Sequence, residues 1–162
     1  MKIKFICFIL LFSACNNPKQ ETEKISTSAE TTSEEKKLKD LVIKHPDSLG
    51  LIENLVQFYQ NSEEYSKALK ETDAALEKDS LNARLWNIKA ILHFEDGDTA
   101  GAILSLEKAV MIFPDPKYLV DLGNLYAQSK NVLALKIADG LIKVNSKKKK
   151  KDAFYIKGRY FS

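Results

Sequence analysis

From Glu35 onward, apolar residues return every three or four positions in runs broken by short polar stretches. Residues at that spacing share one face of a helix, so the pattern predicts helices with a single buried stripe. Three stripes are the clearest: Ile52, Leu55, Val56 and Tyr59; Trp86 and Ala90; Leu119, Leu122, Gly123 and Tyr126. Each is followed by a second stripe, carried by Tyr65, Ala68 and Ala75, then by Ala102, Leu106 and Ala109, then by Ala134, Ala138 and Leu141. Ala68, Ala102 and Ala134 lie 34 and 32 residues apart, which marks an internal repeat. The third unit is therefore expected to be a residue or two short.

The breaks carry turn chemistry. Asp96-Gly97-Asp98 offers a glycine for the left-handed conformation and an aspartate to cap the next helix. Asp115-Pro116 is a cap followed by proline at a first helical position, and Pro114 closes the unit before it. Asn61 to Glu63 and Lys130-Asn131 mark the corresponding turns elsewhere. Upstream, Leu38, Leu41, Val42 and Pro46 read as the second helix of a half repeat. Downstream, Phe154, Lys157, Gly158 and Phe161 read as the first helix of a fourth unit, with the lysines 147–151 forming a solvated loop before it.

These spacings resemble the tetratricopeptide repeat, a helix-turn-helix unit of about 34 residues. The resemblance implies an all-α fold, a short α-solenoid of antiparallel helix pairs wound as a right-handed superhelix. In this chain the half repeat covers 36–46, the units about 47–80, 81–114 and 115–146, and a partial unit 152–162. Val56 stands where a small residue is usual, Lys89 where an apolar one is, and His93 where an aromatic is. The family builds its inner wall from the first helix of each unit. On that register the wall would hold Glu53, Asn54 and Gln57, then Arg84, Asn87 and Ile91, then Asp121 and Asn124, extended by Tyr155 and Arg159. Amides, a few charges and an apolar spot suit an extended peptide or a partner helix. Glu53 is acidic where members that clamp a C-terminal carboxylate have a lysine, which argues against that subtype.

The first 35 residues follow a different pattern. Lys2 and Lys4, an apolar run from Phe5 to Phe12, then Ser13-Ala14 have the three parts of an export signal. Eight apolar residues are too few for a spanning helix, which needs about 20. Leu11 and the stretch Phe-Ser-Ala-Cys resemble the lipobox of bacterial lipoproteins, although leucine is more usual where Phe12 stands. That resemblance implies a signal peptide over 1–14 and lipidation of Cys15 as the first mature residue. Residues 15–35 would then be the lipidated cysteine and a disordered tether, because Ile25 is the one large apolar side chain between Asn16 and Glu35. The repeat domain would occupy 36–162.

Composition narrows the chemistry. Gly (6) and Pro (4) are scarce, which favours helices over a turn-rich β fold. The net charge of +3 gives no general case for nucleic acid. Both cysteines, Cys7 and Cys15, precede the repeats, so the domain is expected to hold no disulfide, thiol nucleophile or cysteine metal site. His45 and His93 have no partners at metal-ligand spacing, and Asp96 with Asp98 lacks the rest of a calcium loop. No phosphate loop, nucleophile elbow or metalloprotease motif is present. The expectation is a non-enzymatic protein with no cofactor and no metal. It is a membrane-anchored scaffold or assembly factor of the bacterial cell envelope, lipid-anchored to the outer membrane and binding a protein or peptide in its groove. Self-association through the unpaired C-terminal helix is a further expectation. The competing reading is a glycan- or nutrient-binding surface lipoprotein, with Tyr155 and Tyr160 as the candidate sugar platforms.

Overall fold

A computed structural model describes residues 33–144 and 146–162, all in helices and short turns. The export signal, Cys15 and most of the expected tether lie outside the described residues. The chain divides between Lys37 and Leu38, and the unit from Leu38 to Ser162 carries the repeats. Residues 33–44 are helical (α1), so the last three residues of the expected tether are helix instead.

Seven helices follow: α2 (Leu49–Asn61), α3 (Tyr65–Lys78), α4 (Ala83–Glu95), α5 (Thr99–Ile112), α6 (Pro116–Gln128), α7 (Leu133–Lys143) and α8 (Lys147–Phe161). Consecutive helices pack on one another from α2 to α8, and α8 also packs on α6. This nearest-neighbour arrangement is that of a solenoid of helix pairs. The lysines 147–151 are the first turns of α8 rather than a loop. Lysine is a good helix former, and burial of Ala153 and Ile156 further along holds the helix in place.

Backbone hydrogen bonds show the repeat more regularly than the side chains do. The amides of Glu64, Asp98 and Asn131 donate to the carbonyls of Tyr59, His93 and Tyr126 at 2.9, 2.8 and 2.8 Å. Each closes the first helix of a unit with a bond that spans a left-handed residue. Those residues are Glu63 (φ 57°), Gly97 (φ 85°) and Lys130 (φ 56°). The turns recur after 34 and then 33 residues, so one residue is lost between Asn131 and Ala134, at the start of α7. There the Asn131 side chain accepts directly from the Leu133 amide at 3.0 Å, tightening the entry.

The caps expected at Asp98 and Asp115 form: Asp98 accepts from the Gly101 amide at 2.8 Å and Asp115 from the Lys117 amide at 2.6 Å, with Pro116 at the helix start. Asn82 caps α4 in the same way.

Two buried clusters make the core. One joins α2, α3 and α4 through Leu55, Tyr59, Ala68 and Leu92, with Leu38 and Val42 of α1 against it. The other joins α4 to α8 through Ala90, Ala102, Ala134 and Ile156. Small residues set the helix spacing: a Cβ on Gly123 would stand 2.8 Å from Ile156 Cδ1 and 3.1 Å from Ile137 Cγ2. α8 and α7 thus close on α6 over a residue without a side chain.

The family departures acquire local partners. Lys89 pairs with Asp73 of α3 at 2.6 Å and lies over the Trp86 ring. His93 Nδ1 stands 3.0 Å from Asp98 Oδ2, which makes the imidazole part of the turn to α5.

Candidate functional site

The first helices of successive units turn one set of residues to a common wall. Glu53, Gln57 and Gln60 recur at helical spacing on α2, and Arg84 and Asn87 on α4. Together with Lys117 and Tyr118 from the first turn of α6 they line a cavity of about 420 Å³. A second cavity of about 220 Å³ adjoins along α4 and α6, lined by Phe94, Asp121, Asn124, Gln128 and Arg159.

Polar links fix the wall in two halves. α2 is tied to α4 by Arg84 Nη2 to Glu53 Oε2 at 2.7 Å and by Gln60 Nε2 to Glu95 at 2.6 Å. α6 is tied to α8 by Arg159 to Gln128 at 3.2 Å and by Lys130 Nζ to the Tyr160 carbonyl at 3.0 Å. Both cavities straddle the junction of α4 with α6, between these halves.

Two amides at that junction stand open. Asn87 is 7% exposed, and its side chain makes no hydrogen bond among the described residues. Asn124 Oδ1 is buried without a partner. Glu53 Oε1 is also sealed from solvent without a well-directed hydrogen bond, but it lies 2.5 Å from Arg84 Nε, so its charge is met. A carboxamide offers a donor and an acceptor, the same pair a peptide unit presents. Burial pushes the Asp121 carboxyl above the usual carboxylate range, with Lys117 and Lys149 acting against that rise.

Of the ten wall residues expected, Glu53, Gln57, Arg84 and Asn87 meet at the first cavity, and Asp121, Asn124 and Arg159 at the second. Asn54, Ile91 and Tyr155 are exposed and line neither. Gln60, Phe94 and Gln128 were missed, although each continues its helix's stripe: Gln60 follows Gln57 by three, Phe94 follows Asn87 by seven and Gln128 follows Asn124 by four. Lys117 and Tyr118 carry the same signal, preceding Asp121 by four and three residues on α6. Tyr160 packs against the core and edge-on to Phe161, and Tyr155 is exposed and lines neither wall cavity.

A third, mostly apolar cavity of about 510 Å³ lies between α4 and α5 around Trp86, Leu104 and Met111. Among the described residues no three His, Cys, Asp or Glu side chains cluster as metal ligands would. No described helix is long and apolar enough to cross a membrane.

No protein-family model matches the chain, and no curated protein does. Solved structures do. A tetratricopeptide repeat protein from Parabacteroides merdae superposes with a TM-score of 0.65 at 22% identity, over 88% of this chain. The chain spans 59% of that protein's length. MamA from Desulfovibrio magneticus RS-1, from its position 41 to its end, is similar with a TM-score of 0.57 at 16% identity, over 82% of this chain and 80% of that one. A double mutant of MamA RS-1 gives 0.56 at 15% identity, over 89% and 77%. The fold is a tetratricopeptide-like α-solenoid.

Proposed function

We propose that the protein is a lipid-anchored scaffold of the bacterial cell envelope, which holds an extended peptide segment of a protein partner along its first-helix wall. The observation that carries this reading is the pair of open amides, Asn87 and Asn124, at two adjoining cavities. Asn124 Oδ1, buried without a partner, costs about 1–3 kcal/mol, and a peptide backbone laid along the wall would relieve that cost. The nearly balanced charges of the wall favour a neutral or mixed segment over a strongly charged one. Lipidation at Cys15 would fix the protein at a membrane, and the polar stretch after it would give reach.

Panning a random-peptide library on the full chain tests the groove. Peptides are expected to be retained by the parent and lost when Asn87→Ala and Asn124→Ala are combined. Retention unchanged by that double substitution, or binding on a glycan array with no peptide retained, would overturn the reading.

A further inference from the structure

The middle unit exchanges polar and apolar positions with its two neighbours. Counted from the turn residues Glu63, Gly97 and Lys130, the place of Lys89 is held elsewhere by Leu55 and Leu122, and that of His93 by Tyr59 and Tyr126. Those four are buried core residues. On the second helices, counted from Ala68, Ala102 and Ala134, the exchange is reversed. Leu104 stands where the other units have the exposed Lys70 and Lys136, and Met111 where they have the exposed Glu77 and Lys143. Leu104 is 63% exposed and Met111 69%.

The cavity of about 510 Å³ between α4 and α5 lies at this exchange. It shares no lining residue with the two wall cavities. α3 packs on α4 and α6 on α5, so the site is interior to the repeat array. One side is the Trp86 ring, held by its Nε1 donating to the Ser80 carbonyl at 2.9 Å and by Lys89 lying over it. Lys89 and His93 are engaged by Asp73 and Asp98, and Glu107 accepts from Tyr126.

Two lining groups are not engaged. Ser105 is only 3% exposed, yet its hydroxyl makes no hydrogen bond among the described residues. The hydroxyls of Thr72 and Ser129, by contrast, donate back to their own helices at 2.8 Å. Lys108 is exposed and makes no ion pair among the described residues.

A cavity of this size with apolar walls and a few polar groups suits a small ligand. Trp86, Leu104 and Met111 would take an apolar body, and Ser105 and Lys108 a hydrogen-bonding, negatively charged head. A partner helix needs apolar anchors over several turns, whereas here the charged residues of α3 and α7 confine the apolar surface to one unit. We propose that this cavity binds a small organic acid with an apolar tail. The site is independent of the peptide wall.

Trp86 is the single tryptophan of the chain, so its fluorescence reports occupancy. The test titrates the full chain carrying Cys15→Ser, which leaves no attached acyl chain to compete, with decanoate, decanol and decylamine. Decanoate is expected to change Trp86 emission saturably, decanol to bind about fivefold more weakly, and decylamine more weakly still. Lys108→Gln should weaken decanoate about fivefold and leave decanol unchanged. Ser105→Ala should weaken both by about fivefold. Leu104→Lys with Met111→Glu keeps the net charge and should weaken both on the order of 30-fold. These two side chains are exposed, and circular dichroism checks that each variant, and the parent with ligand, keeps its helices. No saturable response, a response accompanied by loss of helix, equal binding of decanoate and decylamine, or binding unchanged by the Leu104 and Met111 pair overturns the proposal.

Discussion

Glu53 of α2 and Arg84 of α4 face each other in the lining of the first wall cavity, Arg84 Nη2 donating to Glu53 Oε2 at 2.7 Å and Nε lying 2.5 Å from Oε1. They stand 31 residues apart in the chain, on the first helices of successive units, with Arg84 one turn before the position equivalent to Glu53. The pair is a paired fork that spans two repeats, and it neutralises the acid that would otherwise repel an acidic peptide. The Arg84 side chain is 65% exposed, so water screens most of its attraction. A double-mutant cycle with Glu53→Ala and Arg84→Ala should give a coupling of at most about 1 kcal/mol, shrinking with salt. Urea unfolding measures it. A larger, salt-independent coupling would mean that the pair holds the fold rather than shapes the wall.

The left-handed turn residues differ in cost. Gly97 adopts its φ of 85° freely, whereas Glu63 and Lys130 hold 57° and 56° with side chains. Glu63→Gly should raise stability by about 0.5–1 kcal/mol, and Gly97→Ala should lower it by about 1 kcal/mol. Lys130→Gly should gain less, because Lys130 Nζ also binds the Tyr160 carbonyl. Thermal unfolding of the three variants gives the ranking.

Gly101 is required by the joint between α4 and α5. A Cβ there would stand 2.3 Å from Asp98 Oδ2 and 2.7 Å from His93 Nδ1, breaking a contact that includes the cap of α5. Gly101→Ala should therefore destabilise by about 1 kcal/mol despite alanine's better helix propensity. A stabilised variant would show that the His93 ring moves aside at little cost.

Tyr126 of α6 donates a short hydrogen bond to Glu107 of α5. Burial raises its hydroxyl pKa first, and the hydrogen bond to Glu107 and that residue's charge add to the rise. In the unfolded chain the phenol ionises near 10, but in the folded one it stays protonated beyond that. Its contribution is thus fully present below pH 10 and is lost as pH rises further, since the unfolded state alone releases the proton. Tyr126→Phe should be less stable at neutral pH by about 1–2 kcal/mol and should lose less stability on going to alkaline pH. Urea melts at neutral and alkaline pH separate the two effects.

Cys15→Ser should move the protein from the membrane fraction to the soluble fraction after a high-salt wash. Mass spectrometry of the parent should find the acyl mass on the peptide that begins at Cys15. Retention of the washed variant would end the lipoprotein reading without touching the groove.

The repeat was legible because the features that set it are local: a three-to-four residue apolar period, alanines at a fixed interval, and Asp98 and Asp115 as caps. Two things were not. Nothing in the composition of Lys147 to Lys151 separates a solvated loop from a helix start; burial of Ile156 against Gly123 decides it. The wall follows from register alone, and of its residues Asn87 and Asn124 line the two cavities whereas Asn54, Ile91 and Tyr155 line neither. Whether a side chain at such a position meets a cavity depends on the gap between α4 and α6, which is set by packing between units.

The central claim is that the first-helix wall holds a polypeptide. Site-specific photo-crosslinking in cells tests it most directly, with a benzophenone side chain at Gln57 or Gln128 on the wall and at Lys108 on α5 as the control. The account predicts a discrete crosslinked polypeptide from both wall positions, none from Lys108, and loss of the product when Asn87→Ala and Asn124→Ala are introduced. Crosslinks from Lys108 alone, or wall crosslinks indifferent to both amides, would contradict it.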